Sequence, residues 1–465
     1  MQLSVVNRSK LNLESRLDAE YYRPQALAID ARVLSRPHWL SGKLFEVYSG
    51  PFGSTVTTDK YDQSTNLRYI RGKDVYGFFV DDTDPVNIQR SLFDELTKYH
   101  LKPLDILVTV VGMNFGKCAL VFPEDCPSIF SCKSSLIRNV KINPFYLAVY
   151  FSCEYGYALI RRGRRGAAQP GINLFDLRNI PVPIVSDGFQ IVLEKLVLKA
   201  RVAERESSKY YAQAEQLFIS ELGLQDWKPS HMLAYMRNYS QVAQVRRMDA
   251  EYFDPVYREM FDRLNSSIRL DRLGKITAYT KGVEVGSAAY TDSGIPFWRV
   301  SNLTKYGLDD SGLKFISEEL YESLRLDFEP QHGEILLSKD ATPGIAYYLE
   351  SPLRGVASSG ILRLKITNNI LPHYFEIALN SLFVQMQIQQ DIGGSVIKHW
   401  KPSVALKTLI PRLTPAREVE IAGLIQQSHA ARREAKAILE KAKRAVEIAV
   451  EEGEAKAMDF LSNDG

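Results

Sequence analysis

The residues in this 465-residue chain best suited to chemistry are two clusters of cations, and their chemistry would be with a polyanion. Arg161-Arg162-Gly163-Arg164-Arg165 places four guanidinium groups beside a polar loop that carries Gln169 and Asn173. Lys398-His399-Trp400-Lys401 lies in a second such loop, late in the chain. Arg and Lys neutralise phosphates and donate to base edges, and Gln and Asn can bond adenine through two atoms. Either cluster alone could be a solvated basic face. Two of them at the same place in two halves of the chain, with the residues changed, favour binding. Arg71, Lys73, Arg299, Asn302 and Lys339, at strand ends and turns, complete the candidate contacts.

Nothing else supports an active site. The net charge is +3 and the pI about 8.4, so attraction to a polyanion has to come from local clustering rather than from the whole molecule. Asn143-Pro144-Phe145-Tyr146 is one proline short of the Asn-Pro-Pro-aromatic motif of amino-methyltransferases and has no Gly-rich cofactor loop before it; it reads as a helix start. Gly112 to Lys117 is one residue short of a phosphate loop and lacks the following Ser or Thr, so it reads as a turn. Cys118, Cys126, Cys132 and Cys153 contain no C-x-x-C pair, and the seven His show no metal-ligand spacing. No metal site is expected. Without a signal-like leader or an apolar run of membrane-spanning length, the expectation is a cytoplasmic protein with no membrane association.

The clusters are positioned by a duplication. Arg16-Leu-Asp-Ala-Glu-Tyr-Tyr-Arg-Pro24 returns as Arg247-Met-Asp-Ala-Glu-Tyr-Phe-Asp-Pro255, 231 positions on. That is too long for a solenoid repeat of roughly 20–50 residues, so it reads as a whole domain with its linker, doubled. Later landmarks follow at nearly the same shift. Leu67–Val75 aligns with Ile295–Leu303, Asp105-Ile-Leu with Glu334-Ile-Leu, and strand 135–142 with strand 360–366. Helices are expected over Phe145–Tyr157 and Pro372–Gln389, each leading to a glycine-bearing polar loop and a stretch ending in proline. Each half is therefore a mixed α+β domain.

Each domain hands over to a long polar helix. Leu193, Leu196, Ala200, Ala203, Ser207, Tyr210, Ala214 and Leu217 step by three and four, and so do the residues from Ile421 to Ala449. Sustained over four heptads, this pattern argues for coiled coil. At 1.5 Å per residue each helix is roughly 50–60 Å long, more than the ~34 Å of one DNA turn. The simplest partner for each one-sided seam is the other helix, antiparallel, with a domain at each end. Pairing with another subunit is the alternative.

Together these features resemble the specificity (S) subunit of type I restriction–modification enzymes over essentially the full length. The resemblance is carried by the doubled Arg-x-Asp-Ala-Glu-Tyr opening, the strands ending in Asp74 and Asn302, and the Asp105 and Glu334 turns. The stretch Gly166-Ala-Ala-Gln169-Pro-Gly-Ile-Asn173-Leu-Phe-Asp176 to Pro181 and the two helices complete the set. The second half departs from it, with Ser395-Val-Ile-Lys398 in the loop.

The resemblance implies an α+β chain of two tandem mixed α/β target-recognition domains joined by two long helices as an antiparallel coiled-coil spacer. The divisions are 1–185 and 225–413 for the domains, 186–224 and 414–452 for the helices, and 453–465 for a C-terminal tail. It implies a non-catalytic subunit reading a bipartite, asymmetric site in double-stranded DNA, with two methyltransferase subunits and the translocase–nuclease restriction subunits as partners. S-adenosylmethionine, ATP and Mg would sit on those partners, with no cofactor here. The rivals are a self-contained DNA methyltransferase or nuclease, and a duplicated protein-interaction scaffold that binds no DNA.

Overall fold

A computed structural model describes residues 4–7, 11, 16–112, 115–166, 170–310, 312–392 and 399–462. The chain forms two compact units, Met1–Ala203 with Glu434–Gly465, and Glu204–Arg433.

The first unit is built on a four-stranded antiparallel sheet in the order Glu46–Ser49, Ser134–Arg138, Ile106–Thr109, Cys118–Leu120. The second repeats it with Thr277–Lys281, Ile361–Ile366, Glu334–Ser338, Ala346–Tyr348. Each also has a parallel pair, Arg68–Ile70 on Ser128–Phe130 and Ile295–Trp298 on Val356–Ala357. Each has an antiparallel pair formed by its proline-bearing exit strand, Pro181–Pro183 on His38–Leu40 and Leu409–Arg412 on Arg269–Arg272. The duplication read from the sequence is thus a duplication of strand order.

The helix expected over Phe145–Tyr157 is two, Pro144–Ser152 and Glu154–Arg162. Cys153 is extended at the joint, and a Cβ on Gly156 would lie 1.9 Å from the Tyr150 carbonyl, so only glycine allows so close a turn. The second unit breaks in the same way at Ser381, between Pro372–Asn380 and Leu382–Ile392. The Asn143 side chain accepts from the Phe145 and Tyr146 amides at 2.8 and 3.4 Å and donates to Glu194 at 2.6 Å. It is a helix cap, as the sequence suggests.

The long helices run Asp187–Leu222 and Pro415–Glu451, the first closed by Gly223 at φ +80°. In the first unit Leu193, Val197 and Ala200 share a core with Ala442, Ala445, Val446 and Ala449. In the second, Tyr211, Ala214, Phe218 and Leu222 share one with Ile421 and Ile425. In both, an early part of one helix meets a late part of the other, which makes the pair antiparallel. Tyr211 and Phe218, rather than Tyr210 and Leu217, are the fully buried residues. The inward face is set by the domain core as well as by the other helix, so it drifts from a strict heptad. Residues 453–465, expected as a tail, contain the helix Glu454–Ser462, which seats Ala457, Met458, Phe460 and Leu461 on the first core. No helix among the described residues is long and apolar enough to cross a membrane.

Candidate nucleic-acid interface

The repeated opening motif positions the polar loops. Arg16 bonds Asp18 through two nitrogens at 2.8 and 2.7 Å, lies over the Tyr21 ring at 4.5 Å, and donates to the Gly163 and Arg164 carbonyls at 3.3 and 2.8 Å. Arg247 does the same with Asp249 at 2.9 and 2.6 Å, the Tyr252 ring at 4.3 Å and the Asp391 carbonyl at 2.8 Å. Each motif is a clamp on the segment entering the polar loop.

The loops then run beside the turn after the third strand of each half. Ile172 donates to the Val110 carbonyl at 3.0 Å and Gly112 to that of Pro170 at 2.9 Å; Trp400 donates to the Lys339 carbonyl at 2.8 Å. The structure therefore brings the loop bearing Arg164, Arg165 and Asn173 beside Val110–Gly112, and His399, Trp400 and Lys401 beside Lys339. Gln169 and Lys398 lie outside the described residues.

Several candidates are engaged by the fold. Arg71 holds the buried Asp74 at 3.0 and 2.9 Å and also bonds the Asp84 carbonyl. Arg299, 228 positions on, donates to the Gly312 carbonyl at 2.8 Å, and its backbone amide donates to Asn302 at 3.2 Å. Asn302, fully buried, donates to the Asp309 carbonyl at 2.9 Å. Arg161 stacks on Phe115 and Tyr157. Asn173 caps Leu174–Arg178 by accepting from the Asp176 amide at 2.9 Å, and Arg165 grips Asp176 through two nitrogens, both at 3.0 Å. Trp400 is 1 % exposed and donates to Asp391 at 3.4 Å; burial raises the Asp391 carboxyl to about 6.

The groups that face solvent are fewer. Arg164 is exposed with no side-chain partner among the described residues, and Lys401 likewise. Lys401 stands 228 positions after Asn173, also at a helix N-cap (Pro402–Ala405), but its cationic side chain cannot accept from the helix amides. Lys73 is exposed and pairs with Asp84 at 2.6 Å; His399 is exposed and pairs with Asp340 at 2.6 Å. Lys339, mostly covered, takes the other Asp340 oxygen at 2.5 Å.

The sequence reading missed the role of Asp176 and Asp340, the carboxylates that hold Arg165, Lys339 and His399 in place. Their only signal was an acidic residue inside each basic loop or turn. It missed, too, that Glu350, His373 and His429 come together, since no local spacing links them. Burial lifts the thiols of Cys118 and Cys153 to about 11 and about 12, which makes them inert packing groups.

No family model matches the chain, and no curated protein matches it. The solved structures it matches include specificity subunits of type I restriction–modification systems. One is the S subunit from M. genitalium, at 13% identity and a TM-score of 0.38, covering 89% of this chain and 95% of that one. The HsdS subunit from Thermoanaerobacter tengcongensis matches at 15% identity and a TM-score of 0.27, covering 90% and 97%. A chain from a structure of the assembly and conformational transition of the type I R-M system matches at 15% and 0.27, covering 90% and 100%.

Proposed function

We propose that this chain is the DNA-recognition subunit of a type I restriction–modification complex, each unit reading one part of a split, asymmetric site. The observation that carries this is one scaffold built twice with unlike polar side chains on the corresponding loop: Arg164 and Arg165 in the first unit, His399 and Lys401 in the second. Arg164 and Lys401 contact phosphate or base edges, while Arg165, Lys339 and His399 are held ready by Asp176 and Asp340. Each such pair would open or reorient at a phosphate, where the stronger field of the duplex competes for the cation. The long helices serve as the spacer and as the docking surface for two methyltransferase subunits, and the restriction subunits join through that assembly.

The test is binding of duplex DNA by the chain co-expressed with its methyltransferase. Arg164→Ala with Gln169→Ala is expected to lower the salt slope or change the methylated sequence. If neither moves, the loop is not a DNA contact. If the intact complex binds no duplex at all, the chain is a protein scaffold instead.

A further inference from the structure

The second unit contains a buried corner made of four ionisable side chains. Glu350 follows the strand Ala346–Tyr348, His373 and Glu376 lie on the helix Pro372–Asn380, and His429 is on the long helix Pro415–Glu451. Glu376 is fully buried and His429 is 3 % exposed. His373 Nε2 is 3.1 Å from Glu350 Oε1, His373 Nδ1 is 3.5 Å from Glu376 Oε2, and His429 Nε2 is 3.2 Å from Glu376 Oε1. Yet both Glu376 oxygens, both His429 nitrogens and His373 Nδ1 have no hydrogen-bond partner of acceptable geometry among the described residues. Arg433, on the same long helix, pairs with the outer side of Glu350. The Tyr347 and Tyr348 rings cover the two imidazoles at 5.1 and 5.0 Å.

The first unit shows that the fold does not require this. At a shift of 228 the same four places hold Phe122, Phe145, Ala148 and Arg201. There Phe122 packs edge-on against Phe145, and Arg201 lies over Phe122 at 4.9 Å while bonding Glu124 and Asp125. A corner that Phe and Ala can fill has become two imidazoles and two carboxylates, with the buried donors and acceptors poorly matched. Buried imidazoles and carboxylates without matched partners are unfavourable, and a bound cation would offset that.

We propose that this corner is a divalent transition-metal site of the zinc class, with Glu350, His373 and His429 as ligands. One ligand atom from each lies within 4.8 Å of the others. The 3.1 Å between His373 Nε2 and Glu350 Oε1 suits two ligands of one ion with bonds of about 2.0–2.1 Å, whose tetrahedral edge is about 3.3 Å, while Glu376, 3.5 Å from His373 and 3.2 Å from His429, stands behind the two imidazoles. Imidazole with carboxylate is a donor set that suits zinc. One His373 nitrogen binds the ion and the other turns to a carboxylate, the usual arrangement for a ligating histidine. Glu376 and Glu350 balance the two positive charges. The ion ties the long helix to the sheet and helix of the second unit, as Arg201 with Glu124 and Asp125 ties it in the first.

The test is zinc titration of the full chain, stripped with chelator, against a chromogenic zinc indicator, with thermal melting followed in parallel. The expected result is one tightly held zinc per chain and a melting transition that rises with zinc and falls with chelator. Glu350→Phe, His373→Phe and Glu376→Ala together install three of the first unit's four residues; the variant is expected to lose that zinc and the zinc-dependent shift. If the triple variant fails to fold, Glu376→Gln alone is expected to weaken zinc about 10–100-fold. Absence of a stoichiometric zinc in the natural chain overturns the site. So does zinc binding that these substitutions do not change.

Discussion

Arg165 reaches Asp176 with two nitrogens, each 3.0 Å from a carboxylate oxygen, while the side chain of its neighbour Arg164 stands in solvent. Two adjacent cations of one cluster thus have different tasks. Arg164→Ala is expected to lower the salt slope of DNA binding by about one unit and to leave the melting temperature unchanged. Arg165→Ala is expected to shift both, because Asp176 loses its strongest partner. Lys401→Ala should behave like Arg164→Ala. Binding isotherms at several salt concentrations, with melts of the same samples, check all three.

The repeated arginine is a clamp, so its loss should be felt in stability before recognition. Arg16→Ala and Arg247→Ala each remove a two-nitrogen carboxylate pair, an aromatic contact and at least one carbonyl bond. Each is expected to cost about 1–3 kcal/mol, as for hydrogen bonds to charged groups. Urea unfolding measures it, and conversion of Arg247 to Lys, which cannot form the two-nitrogen pair, should restore only part.

Burial raises the Asp391 carboxyl to about 6 from an ordinary value near 4, against the opposing help of Trp400 and Arg247. Its folded form therefore holds a proton that the unfolded chain has released between about pH 4 and pH 6. Stability from this group is present below that window and is lost as pH rises through it. Asp391→Asn, which keeps an acceptor for Trp400, is expected to stabilise the protein more at pH 7 than at pH 5. Paired melts across that range decide it; a constant difference would remove burial of this carboxylate from the account.

The doubled architecture was legible because its signals are local and repeated. Asp105 and Glu334 each accept from a backbone amide three residues earlier, at 2.7 and 2.9 Å, so the acidic turn recurs wherever the turn does. The caps and the stop at Gly223 were legible for the same reason. Arg71 and Arg299 have a structural role that the sequence did not show. They match between the halves, and both bond a backbone carbonyl across the same turn, so their identity is accounted for by the scaffold. The useful contrast lay where the halves differ, as at Asn173 and Lys401. The corner formed by Glu350, His373, Glu376 and His429 was illegible, since its members come from a strand end and two helices that only the fold brings together.

If two unlike readers share one chain, methylome sequencing of cells carrying the intact system will show it. Methylated adenines are expected in a gapped, asymmetric motif, and replacement of residues 225–413 by another such domain should rewrite one part of that motif while leaving the other intact. A contiguous motif, or one that changes throughout when a single domain is replaced, would contradict it.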